Sequence, residues 1–187
     1  DYPWAKEAIE TLATLGIIQG TSETTFDPSS NITRADFITL LVRMLKLFEL
    51  IPEEEFGETF DDVEEGMYYY EPIGIAYKLG IVKGIGANKF NPSGQITRED
   101  LMVMVARALI LSNKVTTTGT YDDISKFNDV SQVSDYAVES IALLVREGII
   151  IGNPDNTINP KGNATRAETA VILYRVYMKY FAAKQNS

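Results

Sequence analysis

The chain has 187 residues, 45% hydrophobic and 10% aromatic, with a net charge of −9 at pH 7. This composition supports a sizeable folded core and argues against a general nucleic-acid binder, which would be basic. Cys and His are both absent, which excludes disulfides, thiolate zinc sites, Cys nucleophiles, Ser-His-Asp triads and HExxH zinc sites.

The sequence opens in mid-pattern at Asp1-Tyr2-Pro3-Trp4 and reads as a fragment or a processed form. Trp4, Ala8, Ile9, Leu12 and Leu15 recur at spacings near three and four, which predicts an amphipathic helix. Gly16 stands where a helix needs a left-handed terminating residue. Ile17-Ile18 and Gln19 lead to Gly20, whose position suggests a turn or a close backbone approach. In Thr25-Phe26-Asp27-Pro28 the aromatic plugs the core from a loop, and Pro stiffens the approach to the next helix. That helix opens on Thr33-Arg34-Ala35-Asp36, with Thr33 as N-cap and Asp36 placed to close a capping box. It continues through Phe37, Ile38, Leu40, Leu41, Met44 and Leu45, apolar enough to want burial. The connector from Phe48 to Thr59 is acidic, with Glu53-Glu54-Glu55.

The same order then recurs. Phe60-Asp61-Asp62-Val63 leads into a helix with Ile73, Ala76 and Leu79, then Gly80-Ile81-Val82-Lys83-Gly84, Phe90-Asn91-Pro92 and the capped Thr97-Arg98-Glu99-Asp100. A Thr-rich loop from Ser112 to Ser125 precedes a third pass. It runs Phe127-Asn128-Asp129-Val130, a helix with Tyr136, Ala137, Ile141, Leu144 and Val145, then Gly148-Ile149-Ile150-Ile151-Gly152, Ile158-Asn159-Pro160 and Thr165-Arg166-Ala167-Glu168. The tail after Lys179 is expected to fray. No apolar run reaches the roughly 18 residues of a membrane span.

Counting back from each Arg gives one set of landmarks: Gly20, Gly84 or Gly152 fourteen residues earlier, Gly16, Gly80 or Gly148 eighteen earlier, and Trp4, Tyr68 or Tyr136 thirty earlier. The chain is therefore an internal repeat, with copies over 1–50, 60–111 and 127–180 that together form one domain. The fold class is all-α. The three helices opening at Thr33, Thr97 and Thr165 are expected to pack as a central three-helix bundle.

Arg34, Arg98 and Arg166 occupy first helical turns, a poor place for a cation by about 0.3–1 kcal/mol. A helix N-terminus plus a guanidinium fork does suit a carboxylate or phosphate, and a structural ion pair, for example to Asp62 or Asp129, is the competing reading. Trp4, Tyr68 and Tyr136 read either as core residues or as exposed rings that stack on a sugar. Lys83 is either a solvated surface Lys or a second anion contact. Two sequons, Asn31-Ile32-Thr33 and Asn163-Ala164-Thr165, overlap the caps, and the calcium-loop likenesses lack the required Gly and Glu. No metal and no cofactor is implied.

Together these landmarks resemble the S-layer homology module, usually present as three tandem copies. The resemblance covers nearly the whole chain. It rests on the Phe-x-Asp-Val leads, the Gly-Ile-(Ile/Val)-x-Gly turns, the Phe-x-Pro loops and the Thr-Arg-(Ala/Glu)-(Asp/Glu) caps. It implies a pseudo-threefold spindle and a monomeric pseudo-trimer fused to a larger exported protein. It also implies non-catalytic, extracellular attachment to a bacterial secondary cell-wall polysaccharide, often a pyruvylated amino-sugar glycan. In such modules the cap arginines line grooves between repeats and meet the anionic ketal. The binding candidates are thus Arg34, Arg98, Arg166, Gly20, Gly84, Gly152, Gln19, Lys83, Trp4, Tyr68 and Tyr136. Arg98 is expected to matter most, with Lys83 beside it, and Arg166 least. The first copy lacks its Phe-x-Asp-Val lead, Tyr68-Tyr69-Tyr70 and Glu71-Pro72 replace the usual aromatic-Ala pair, and Ile158 replaces Phe, so the grooves are not expected to be equal.

Two other classes compete. A carboxylate-pair glycosidase needs two acids flanking one bond, roughly 5–9.5 Å apart, but the acids here recur as caps and turn residues. A helical-repeat protein-binding module of a surface layer is the other alternative, although solenoids use shorter, more uniform units.

Overall fold

The computed structural model describes residues 2–20, 25–56 and 59–182. The tail beyond 182 lies outside the described residues. The architecture is all-α, as the periodicity predicts. In chain order the helices are α1 (Pro3–Thr14), α2 (Arg34–Leu45), α3 (Tyr70–Lys78), α4 (Arg98–Leu111), α5 (Tyr121–Ile124), α6 (Val138–Arg146) and α7 (Arg166–Tyr180). Among the described residues, extended pairing is confined to isolated bridges. No helix among them is long and apolar enough to cross a membrane.

The chain divides into two compact units. The first comprises Asp1–Gln95 and Thr165–Ser187 and contains α1, α2, α3 and α7. Here α1 packs on α7, α2 packs on α3, and α2 also touches α7. Leu12, Phe37, Ile38, Leu41, Ile73 and Leu173 are buried in this unit. The second unit, Ile96–Ala164, packs α4 on α6 and α6 on α5 around Leu101, Met102, Val105, Ile141 and Leu144. Helices therefore pair between repeats. The Thr-Arg helix of one copy lies on the first helix of the next, and α7 of the third copy lies on α1 of the first.

The glycine stops form as the sequence predicts. Gly16, Gly80 and Gly148 have φ of +69°, +72° and +74°. The amides of Ile17, Ile81 and Ile149 reach back to the carbonyls of Leu12, Ala76 and Leu144 at 2.9, 2.8 and 2.9 Å. This is a Schellman closure, and its apolar residue after the glycine is buried in each copy.

The caps also form. Thr33, Thr97 and Thr165 accept through Oγ1 from the amides of Asp36, Asp100 and Glu168 at 3.1, 3.3 and 3.2 Å. Glu168 completes the box by accepting from the Thr165 amide at 2.8 Å. Asp36 and Asp100, one methylene shorter, accept instead from tyrosine phenols, Tyr68 at 2.6 Å and Tyr136 at 2.8 Å.

Candidate functional site

Each cap arginine reaches into the loop of the following copy. The Nε of Arg34 donates to the Phe90 carbonyl at 2.9 Å, that of Arg98 to Ile158 at 2.8 Å, and that of Arg166 to Phe26 at 2.9 Å. Where the loop residue is aromatic, the guanidinium also stacks on it. Arg34 Cζ lies 4.8 Å from the Phe90 ring centroid and Arg166 Cζ lies 4.6 Å from that of Phe26. The structural partners of these arginines thus include loop carbonyls. Asp62 and Asp129, named above as alternative partners, hold the other side of the same peptides. Asp62 accepts from the Phe90 and Asn91 amides at 2.8 Å each, and Asp129 accepts from Ile158 and Asn159 at 2.9 and 2.7 Å. The Asp62 carboxyl is raised by partial burial, yet the amides of Phe90 and Asn91 pull it below its ordinary value.

The first amides of the Thr-Arg helices are also engaged, so the helix N-termini are not open anion cradles. The amides of Arg34, Arg98 and Arg166 donate to the carbonyls of Gly94, Gly162 and Ser30, each at 2.8 Å. The next amides, of Ala35, Glu99 and Ala167, donate to Pro92, Pro160 and Pro28, each at 3.0 Å. Short antiparallel bridges Thr33–Gln95, Thr97–Asn163 and Asn31–Thr165 repeat the same docking step.

Gly84 and Gly152 sit against the lead Phe of their own copies. A Cβ on Gly84 would lie 2.6 Å from both the Phe60 ring and the Lys89 carbonyl, and one on Gly152 would lie 2.4 Å from the Phe127 ring. The lead Phe therefore sits directly against the second Gly, a pairing that the recurrence of both landmarks in one repeat could have signalled. Trp4, Tyr68 and Tyr136 are 56%, 59% and 56% exposed, so none is a core residue. The phenols of Tyr68 and Tyr136 are pushed up from their ordinary value, by burial of the hydroxyl first and by the adjoining Asp36 or Asp100 second. Lys83 is exposed.

Within the second unit, Glu99 is only 4% exposed although it sits where the other copies have Ala35 and Ala167. It accepts from Lys161 Nζ at 2.6 Å, the Ser134 amide at 3.1 Å, the Ser134 hydroxyl at 3.0 Å and the Tyr136 phenol at 3.2 Å. Burial raises the Glu99 carboxyl, but Lys161 and Ser134 together hold it below the ordinary glutamate value.

One cleft, about 220 Å³ in volume and lying wholly within the first unit, brings several candidates together. Gln19 and Gly20 line it from the loop after α1, Asp36, Thr39, Leu40 and Arg43 from α2, Tyr68 from the approach to α3, and Arg166, Thr169 and Ala170 from α7. Arg34 and Arg98 are only 5% and 6% exposed. Arg166 is half-buried, with Nη2 donating to the Gln19 carbonyl at 2.7 Å.

The residues after the cap arginine differ between copies. Three and four residues after Arg166 stand Thr169 and Ala170, whereas α2 carries Phe37 and Ile38 and α4 carries Leu101 and Met102 at those places. Thr39, Arg43 and Thr169 were not singled out from sequence, because nothing in the repeat marks them. Trp4, Lys83, Gly84, Tyr136, Gly152, Arg34 and Arg98 do not line this cleft. Among the described residues no group of three or more Asp, Glu, His or Cys is arranged to hold a metal ion.

The fold and these contacts define a helical module of three like copies, each docked on the loop of the next. The family model described as the S-layer homology domain matches residues 1–38, 59–102 and 126–170. The chain belongs to the S-layer homology family, whose members are cell-surface, wall-anchoring modules. It is 39% identical over 178 residues to an exoglucanase of Acetivibrio thermocellus, covering 94% of this chain and 16% of that protein. It is 37% identical over 178 residues to an amylopullulanase of Thermoanaerobacterium thermosulfurigenes, covering 94% of this chain and 9% of that protein. It is 31% identical over 175 residues to a surface-layer 125 kDa protein of Lysinibacillus sphaericus, covering 92% and 14%. The chain thus spans less than a fifth of each of these relatives, and the matched part is a small portion of either enzyme.

Proposed function

We propose that this module is a non-catalytic anchor that holds an exported protein to an anionic, pyruvylated secondary cell-wall polysaccharide, with the ketal carboxylate bound in the cleft lined by Arg43 and Arg166. The observation that carries this reading is the partial exposure of Arg166 in a cleft that also holds an aromatic ring and two threonine hydroxyls. A chain of net charge −9 needs local cations to hold an anion, and two guanidiniums supply them. The Asp36 carboxylate in the same cleft is occupied by the Tyr68 phenol. The Tyr68 ring gives the sugar an apolar face to lie on. The near-complete burial of Arg34 and Arg98 favours Arg166 over Arg98 as the main anion contact, the reverse of the order expected from sequence.

Calorimetry with the methyl glycoside of a pyruvylated N-acetylhexosamine, beside the same sugar without the ketal, tests this. The pyruvylated sugar alone should bind. Arg166→Ala should cost about 1.5–3 kcal/mol of affinity, the scale of a hydrogen bond to a charged group. Equal binding of both sugars, or full affinity in folded Arg166→Ala, would refute it.

A further inference from the structure

A second cleft of about 500 Å³ adjoins the first and shares Thr39, Arg43 and Tyr68 with it. Its far side is different in character. Phe48 and Phe56 of the connector after α2 and Pro72 of α3 give an apolar platform, and Glu53 and Glu71 give two carboxylates. Phe48 is 43% exposed, a large ring left open to water beside this cleft. Among the described residues no ion pair engages Glu53 or Glu71. The acidic stretch is not required by the repeat, since the connector after α4 carries Thr116-Thr117-Thr118 instead of Glu53-Glu54-Glu55.

We infer that the second cleft is a subsite for the next sugar of the same polysaccharide, a hexosamine with a free, protonated amine; this rests on the proposed reading of the first cleft. The charges change sign along the continuous surface. Arg166 lines only the first cleft, Glu53 and Glu71 line only the second, and Arg43 stands on the edge that both share. Aromatic and proline faces match the C–H face of a pyranose, and the carboxylates accept from an ammonium in charge-assisted hydrogen bonds. Arg43 and Tyr68 lie on the shared edge, where the glycosidic link would pass.

The test compares three probes by calorimetry on the whole chain. These are the pyruvylated N-acetylhexosamine glycoside, the disaccharide joining it to glucosamine, and the disaccharide joining it to N-acetylglucosamine. The glucosamine disaccharide should bind about tenfold more tightly than the monosaccharide, and the N-acetyl one about as tightly as the monosaccharide. Glu53→Gln and Glu71→Gln should each reduce the gain and leave monosaccharide affinity unchanged. If the monosaccharide binds and neither disaccharide binds better, the second subsite is overturned and the first cleft stands. Equal gains from both disaccharides overturn the ammonium recognition. No binding of any probe overturns both readings. A dimer in sedimentation velocity that Phe48→Ser disperses would assign the cleft to a second copy instead and overturn the inference.

Discussion

The guanidinium of Arg34 holds the Phe90 peptide from one side while the Asp62 carboxylate holds it from the other. Arg34 Nε meets the carbonyl at 2.9 Å across 56 residues of chain, and Asp62 meets the amide at 2.8 Å. Arg98 and Asp129 do the same to Ile158. The loop that carries the apolar plug is thereby fixed to both its own copy and the one before it.

The first prediction separates the arginines. Arg34→Ala and Arg98→Ala each strand a buried carbonyl, at a cost of about 1.5–3 kcal/mol in stability. Arg166→Ala should lose less stability, because its site is partly open to water, and more polymer affinity. Thermal melts beside wall-polymer pull-downs check both quantities. Parent-like melting in Arg34→Ala with lost binding would return that arginine to the ligand.

The second prediction concerns Asp62. Its carboxyl sits below the ordinary aspartate value in the fold, so its stabilising contribution is fully present above the unfolded value of about 3.9 and fades as pH falls through the lower folded value. Asp62→Ala should cost about 1–2 kcal/mol at neutral pH, reduced from the buried limit by solvent. The gap to the parent should narrow as pH falls through the lowered folded value of Asp62. Urea titrations at neutral and acid pH measure it, and a gap that is constant with pH would show that the carboxylate charge contributes nothing.

The architecture was largely legible because its signals are local. Gly16, Gly80 and Gly148 announce Schellman stops, and Thr33, Thr97 and Thr165 announce caps, through spacing alone. The cleft proposed to bind was less legible because it depends on contacts between copies. The sequence places Arg34, Arg98 and Arg166 identically, yet Arg34 and Arg98 are buried and Arg166 is half-buried. Likewise the first-turn amides looked open in the sequence but are taken by loop carbonyls dozens of residues away. Lys83, read as a second anion contact, and Trp4, read as a ring that stacks on a sugar, do not line this cleft.

The third prediction contrasts two glycines of the same copy. Gly148 and Gly152 both have positive φ, +74° and +83°. A Cβ on Gly148 meets nothing within 4 Å, while one on Gly152 overlaps the Phe127 ring at 2.4 Å. Gly148→Ala should therefore cost only the left-handed penalty of about 1–2 kcal/mol. Gly152→Ala adds overpacking of a further 1–3 kcal/mol or so. Chemical denaturation should rank them in that order, and Gly152→Ala should regain part of its loss when Phe127→Leu is added. Equal destabilisation would mean that the ring simply moves aside.

The fourth prediction uses Glu99 and Lys161. The Lys161 ammonium neutralises a carboxylate whose side chain is only 5% exposed, while its own side chain is 51% exposed. Lys161→Met leaves Glu99 with Ser134 and Tyr136 as hydrogen-bond donors but without a countercharge. Because the Glu99 carboxyl is held low in the fold, its contribution is complete above the unfolded glutamate value of about 4.3 and is lost as pH falls through the folded value. Removing Lys161 raises the folded value toward or above the unfolded one and so removes that contribution. The variant should be less stable by about 1–2 kcal/mol at pH 7, below the cost of breaking a fully buried pair because Lys161 is half in water. As pH falls through the lowered folded value of Glu99 and the carboxyl takes up its proton, parent and variant should converge. Adding Glu99→Gln closes a double-mutant cycle, and the coupling between the two positions should be present at neutral pH and absent in acid. A coupling of the same size at both pH values would mean that Lys161 acts through the packing of its stem on α4, and that its charge is incidental.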